Sequence, residues 1–525
     1  MKPALSRPAV FHPFLFALYS VAGIYARNSG EIPYQWVFRP LIVILLLTAT
    51  VYFILKRRIP DPHYVGLLTT LGLFWFFFGH FARVLEAHSE FWSTGAGLIL
   101  AGTLWTGPLA FMASPWTWRH IQNRAFITTF LNATSAVIVL FPAVQATIFV
   151  AETLTLKDLA IPGAPLLLSQ PNEPPDIYLI IMDGYGRQDV LRDVHHYDNS
   201  KFITFLQSKN FYVAEKASAN YPQTLLSVGS MLNLTYLNES VRGLQSTDNR
   251  APLVELLQHS EVRRSLQAAG YRFVALPSAI WFTQIRDADV YYAMSGGTIN
   301  EFEGVLLSST VLNPLIQALN LDLHVPSYDL HRRYLLFGLE ALKDVPDDPG
   351  PKFVFAHILG PHPPFVLDAN GNPVEPSGSY NILDASMFQG TPQQYSSGYT
   401  AEMTYLNSKL EEVIEAILAK SSRPPIIIIE GDHGPGAYFD ETQLEQGCLI
   451  ERYSNLNAYY FPDQEYGALY PAITPVNSFR IVFNQYFGTD LPILEDLSYY
   501  ATWRKPYVYT DISDKIGPTC ELPED

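Results

Sequence analysis

Pro424-Pro425-Ile426-Ile427-Ile428-Ile429-Glu430-Gly431-Asp432-His433-Gly434 is the stretch that decides the fold. Four consecutive isoleucines between a proline pair and a glycine predict a strand buried on both faces, because a half-exposed strand would alternate apolar and polar residues. Working outward, Ile177–Met182, Tyr271–Leu276, Phe353–Leu359 and Asn457–Phe461 read as further short apolar strands. Ser200–Ser208, Pro252–Ala269, Leu330–Leu342 and Tyr399–Ala419 read as the helices that separate them. Apolar strands alternating with helices predict an α/β doubly wound, mostly parallel sheet covered on both faces.

In such sheets ligands bind beyond the carboxyl ends of the strands. Asp183 follows the Ile177 strand in Met182-Asp183-Gly184-Tyr185-Gly186-Arg187. Asp432 and His433 follow the isoleucine strand. Asp-Gly is a common turn pair, but adjacent Asp and His after a buried strand supply the mixed oxygen and nitrogen ligands that zinc or manganese takes. His357 and His362 lie in Phe355-Ala356-His357-Ile358-Leu359-Gly360-Pro361-His362-Pro363-Pro364. Two histidines held among prolines point at one locus, where an imidazole can bind substrate oxygens or protonate a leaving group. Thr224 follows Asn220-Tyr221-Pro222-Gln223 and opens a predicted helix. A hydroxyl there is either an N-cap or a nucleophile in an anion-favouring position, and both readings stay open at this level.

The order of these segments resembles the sulfatase-like branch of the alkaline phosphatase superfamily, and in particular membrane-bound enzymes related to lipoteichoic acid synthases and phosphoethanolamine transferases. The likeness spans about Asp176 to Phe487, and Arg452-Tyr453-Ser454-Asn455 within it is also similar to this branch. The resemblance implies a divalent metal ion held by Asp183, Thr224, Asp432 and His433. It implies Thr224 as nucleophile, His357 or His362 as the residue serving the leaving group, and Arg452 and Asn455 as substrate contacts. The implied mechanism is metal-assisted in-line displacement through a covalent Thr224 ester. True sulfatases carry a Cys or Ser in a C/S-x-P-x-R segment, and no such segment occurs here, so a phosphate-type ester is expected before a sulfate ester.

Residues 1–150 are built differently. They contain five apolar stretches, roughly Ala9–Ala26, Leu41–Leu55, Tyr64–Ala82, Gly95–Ala113 and Ala125–Val150. About 20 apolar residues cross a bilayer as a helix, so the expectation is a five-helix transmembrane domain (1–155), a Pro-rich linker (156–175) and a sulfatase-like catalytic domain (176–525). Placing the N-terminus inside puts seven basic residues on that side, including Lys56, Arg57 and Arg58. Four remain opposite: Arg27, Arg39, Arg83 and Lys157. The positive-inside rule then predicts a multi-pass inner-membrane protein whose catalytic domain is extracytoplasmic. His80, near the end of the third stretch, is the ionisable side chain well inside a span, too little for a transport path.

Charge divides at the same boundary. Residues 1–150 carry +6 and the chain carries −16, leaving −22 on the remainder. An acidic surface of that size argues against a nucleic-acid partner. It is compatible with an anionic ester at a metal site, where the cation dominates the local field. The bilayer and a lipid or cell-envelope ester are the expected partners. Cys448 and Cys520 are too few for a disulfide framework or a Cys-rich zinc module. They form one bridge in an oxidising compartment or stand as two unrelated thiols. The competing functional readings are a sulfuric ester hydrolase, a membrane-tethered binding protein on a degenerate hydrolase fold, and a transporter with an accessory domain.

Overall fold

The computed structural model describes residues 8–520 apart from 87, 157–162, 242, 296–298, 314, 315, 317, 318, 320–324, 377–379, 445 and 446. The chain forms two compact units, Met1–Leu154 with Gly296–Pro326, and Thr155–Ser295 with Ser327–Asp525.

The first unit is helical. Its elements are α1 (His12–Arg27), α2 (Phe38–Arg58), α3 (Pro62–Phe76), α4 (Phe78–Glu86), α5 (Gly95–Ala113), α6 (Pro115–His120) and α7 (Arg124–Leu156). Among the described residues three helices are long and apolar enough to cross a membrane: Tyr34–Arg58, Gly95–Ala113 and Arg124–Leu156. A fourth span results if α3 and α4, bent by 45°, count as one. Of the five apolar stretches, the one that this count leaves out is α1. It has 16 residues, about 24 Å at 1.5 Å per residue, against a hydrocarbon core of about 30 Å. Asn132 of α7 binds the backbone at its start. Asn132 Oδ1 accepts from the backbone N–H of Phe11 and His12 (3.2 and 3.0 Å), and its amide donates to Ala9 O (2.7 Å). By contrast Ile99, Val137 and Phe141 point outward with 70–75% exposure, the pattern of a lipid-facing surface. His80 lies beyond the bend, its ring stacked on Phe77 with centroids 6.1 Å apart.

Gly296–Pro326 joins this unit from far along the chain. Its helix Glu301–Ser308 begins with a capping box between Asn300 and Glu303. Glu303 also pairs with Arg39, the charge that interrupts the second apolar stretch. Phe302 is fully buried, edge-on to Tyr25. Gly79 N–H donates to Ser309 O (3.0 Å), and Val311 N–H to Phe76 O (2.8 Å), so the insert satisfies backbone groups at the α3–α4 bend.

The second unit is built on β1 (Ile177–Met182), β2 (Tyr212–Val213), β3 (Arg272–Ala275), β4 (Val290–Tyr291), β5 (Lys352–Ile358), β6 (Ile426–Glu430) and β7 (Asn457–Tyr460). The sheet order is β2-β7-β6-β1-β5-β3-β4. β6, β1, β5, β3 and β4 run parallel, β7 is antiparallel to β6, and β2 at the edge is antiparallel to β7, so it runs with the main set. β1, β5 and β6 are buried along their whole length, as the isoleucine run predicts. The expected helix Pro252–Ala269 is two, Ala251–Gln258 and Glu261–Ala268, broken at His259-Ser260.

The expected linker falls partly on residues 157–162, which with Lys157 lie outside the described residues. The part that follows is tied down. Leu166 N–H donates to Glu261 Oε1 (2.8 Å), and Ser169 N–H to Phe487 O (2.9 Å). Cys448 and Cys520 form a disulfide with Cα atoms 5.2 Å apart, which settles the two readings of the cysteines in favour of a bridge.

Candidate metal centre

The strand order puts the site together. β1 pairs with β6 on one side and β5 on the other, with Ile181 level with both Glu430 and His357. The residues just beyond these levels, Asp183 after β1 and Asp432 after β6, therefore meet His357 at one end of the sheet. Ligand atoms of Asp183, His357 and Asp432 lie within 4.8 Å of one another, and all three residues are buried. His433 completes the group, its Nε2 being 3.7 Å from Asp183 Oδ1 and 3.4 Å from Asp432 Oδ2. The turn that carries Asp432 and His433 needs its glycines. A Cβ on Gly431 would stand 2.3 Å from Tyr185 O, and one on Gly434 2.0 Å from Glu451 O.

Thr224 is the first residue of the helix Thr224–Leu232. The residue before it, Gln223, makes no side-chain cap and donates its amide to Ala501 O instead (3.1 Å). The Thr224 hydroxyl donates to Asp183 Oδ2 at 3.2 Å, so it faces the carboxylate and does not cap the helix. Ser227, one turn on, donates to Asp432 O (2.6 Å) and ties this helix to the loop that carries Asp432 and His433.

The donor set fits a divalent cation. Asp183 Oδ1 and Asp432 Oδ2 are buried and accept no hydrogen bond, an arrangement that costs free energy unless a positive charge faces them. The histidines present lone pairs to the same space. His433 Nδ1–H donates to Gly434 O (2.9 Å), which leaves Nε2 as an acceptor. Thr283 gives its one hydroxyl proton to Ile280 O, so it accepts from His357 Nδ1–H (3.0 Å). His357 Nε2 stands 3.1 Å from Asp183 Oδ2, a nitrogen and a carboxylate oxygen that one cation can share. Burial opposes the charged form of Asp183, but His362, His357 and His433 outweigh it and hold the carboxyl below the usual carboxylate range. Burial, reinforced by Arg452, keeps His433 neutral, the form that binds metal.

The two histidines of the Pro-rich segment part company. His357 belongs to the ligand group. His362 Nδ1–H donates to Pro363 O (2.6 Å), and its Nε2 faces Asp384 Oδ2 at 3.8 Å. Arg452 is buried beside His433 and donates from Nη2 to His433 Nε2 (3.2 Å). Asn455 is fully buried, and its amide donates to Gly431 O (2.5 Å), so it supports the loop from beneath. Ser278 and Thr283, which orient His357, were missed from sequence, although looking beyond the carboxyl end of β3 leads to Ser278. Asp384 was missed too, and no sequence signal marks it.

No family model and no curated protein matches this chain. Solved structures that it is similar to include phosphoethanolamine transferases and a sulfatase. The C-terminal periplasmic domain of EptC from Escherichia coli, also solved in complex with Zn, aligns over 66% of this chain and 96% of its own at 13% identity and a TM-score of 0.43. The integral membrane lipooligosaccharide phosphoethanolamine transferase EptA from Neisseria meningitidis aligns over 90% and 94% at 12% identity and a TM-score of 0.40. The 2-O GAG sulfatase BT1596 aligns over 61% and 72% at 10% identity and a TM-score of 0.36.

Proposed function

We propose that this protein is a membrane-anchored, metal-dependent hydrolase or transferase of phosphate-type esters that works through a covalent Thr224 intermediate. The observation that carries this reading is the Thr224 hydroxyl on Asp183 Oδ2, beside two buried carboxylate oxygens without hydrogen-bond partners. Asp183, Asp432, His433 and His357 would hold a zinc or manganese ion with the Thr224 oxygen. When bound, that ion supplies charge neutralisation of the phosphoryl oxygens and makes a nearby hydroxyl more acidic.

The protein's own residues do the rest. Asp183 Oδ2 lies where it can take the Thr224 proton. Thr224 Oγ1 then attacks phosphorus, the bond to the leaving alcohol breaks, and that oxygen takes a proton from His362. His362 Nδ1 is committed to Pro363 O, so Nε2 is the atom that gives the proton up. Arg452 binds the anionic oxygens of the ester. Water or an acceptor alcohol next attacks phosphorus and returns a proton to His362 Nε2, while the bond to Thr224 Oγ1 breaks and that oxygen takes back the proton held by Asp183. Water makes the enzyme a hydrolase, and an alcohol makes it a transferase.

The membrane unit tethers the catalytic unit to the bilayer, which favours a lipid or cell-envelope ester. The excess of basic residues at the N-inside loops and the Cys448–Cys520 disulfide support an extracytoplasmic catalytic unit. A reporter fused after Asp525 that works only in the cytoplasm is expected to be inactive, and strong activity would reverse the topology. The chemistry is tested by offering the purified full-length protein aryl phosphodiester, phosphomonoester and sulfate ester substrates, with and without chelator. Chelator-sensitive cleavage of a phosphorus ester is expected. Sulfate cleavage well above both phosphorus esters would sink the substrate class, and full activity after metal removal would sink the mechanism.

A further inference from the structure

Asp384 lies in the irregular stretch ahead of the helix Pro392–Lys420, outside every motif of the sequence. Asp384 is buried, at 8% exposure. Oδ2 accepts from Arg452 Nη1 at 2.5 Å and faces His362 Nε2 at 3.8 Å. Oδ1 accepts from the Tyr395 hydroxyl at 2.8 Å, and Tyr395 in turn accepts from Gly436 N–H at 3.1 Å. One carboxylate thus touches both groups that the proposed reaction assigns to the substrate, and a buried tyrosine holds it in place.

The remaining Arg452 donors show what this orientation achieves. Nε donates to Pro222 O (2.8 Å), two residues before Thr224. Nη1 also reaches Gly434 O (3.4 Å), and Nη2 donates to His433 Nε2 (3.2 Å). The guanidinium bridges the loop leading to Thr224 and the loop after β6. Its Nη2–H ends on a lone pair that the cation site also claims. Once a cation takes that lone pair, the N–H is left for an anion bound there. A guanidinium this deeply buried needs a counter-charge to stay in one orientation, and Asp384 is the carboxylate that meets it.

We propose that Asp384 is the positioning residue of this site, orienting Arg452 toward an anionic oxygen and His362 Nε2 toward the leaving oxygen. This rests on the phosphate-ester reading above. It is tested on the zinc-loaded full-length protein by calorimetric titration with inorganic phosphate. Asp384→Asn keeps the shape and removes the charge. It is expected to weaken phosphate binding about tenfold, the worth of one charge-assisted hydrogen bond, with bound zinc unchanged. Arg452→Ala should weaken it comparably, and the double variant should be no more than about twofold weaker than the weaker single, because the two residues act as one unit.

Effects that multiply, zinc lost in proportion to phosphate affinity, or a wild-type protein that binds no phosphate would each overturn the assignment. Turnover of an aryl phosphodiester is followed in parallel. Wild-type turnover in Thr224→Ala would defeat the covalent mechanism while leaving the Asp384–Arg452 coupling to be judged by the titration alone.

Discussion

The Thr224 hydroxyl donates to Asp183 Oδ2 at 3.2 Å, and His357 Nε2 approaches the same oxygen at 3.1 Å. One carboxylate oxygen therefore faces both the proposed nucleophile and a ligand nitrogen, while the other carboxylate oxygen has no hydrogen-bond partner.

Thr224→Ala removes a hydroxyl and a methyl from a position that caps nothing. Stability should change by about 1 kcal/mol or less, whereas turnover should fall by about a thousandfold or more, as for the loss of a nucleophile. Thr224→Ser should retain measurable turnover. Parallel thermal melts and aryl phosphodiester kinetics on the three proteins check this, and wild-type rates in Thr224→Ala would remove the nucleophile.

Asp183→Asn removes the charge from the middle of the ligand group while keeping its shape. The variant should bind zinc at least tenfold more weakly, read by competition with a chromophoric chelator. Zinc should raise the wild-type thermal midpoint, since a ligand that binds only the folded state stabilises it by mass action. The same addition should leave Asp183→Asn nearly unmoved. Equal affinity in the two proteins would show that the cation lies elsewhere.

The pH dependence of stability has a defined sign. Burial pushes the carboxyls of Glu402 and Glu430 up from 4.5 to about 8. Each is protonated in the folded state over a range where the unfolded chain is ionised, so each lowers stability as pH rises from 4.5 to about 8. Burial, with His362 nearby, pulls His331 down from 6.5 to about 3, so its contribution is lost as pH falls below 6.5. Between pH 6.5 and 8 the two acids act unopposed by His331, and the thermal midpoint should fall. Glu402→Gln should flatten that slope. An unchanged slope would mean that Glu402 is not protonated in the fold.

The insert is held to the membrane helices by Phe302 and by the Arg39–Glu303 pair. Phe302→Ala should cost about 3–5 kcal/mol of local packing, and Arg39→Ala about 1 kcal/mol, because the arginine is partly solvated. Limited proteolysis between Asn300 and Leu312 reads this directly. Phe302→Ala should be cut much faster than wild type, and identical cleavage would show that the insert is held by other contacts.

The sequence by itself determined what rests on local pattern. The isoleucine run and its apolar companions specify buried parallel strands, because burial on both faces removes the polar alternation. Asp183, Thr224, Asp432 and His433 were legible because each follows a strand or opens a helix, and strand ends in such sheets gather at one edge. Tertiary structure alone decided the rest. His357 and His362, five residues apart in one segment, serve different partners because β5 ends between them. Asp384 has no local signature, since its role comes from Arg452 and His362, which are 68 and 22 residues away. Asn132 binds the backbone at the start of α1 from 120 residues along the sequence. Glu303 reaches Arg39 across 264 residues. Hydrophobic periodicity reports how one element meets its surroundings. Which distant side chain satisfies a buried charge or an open backbone group is settled only when the elements pack.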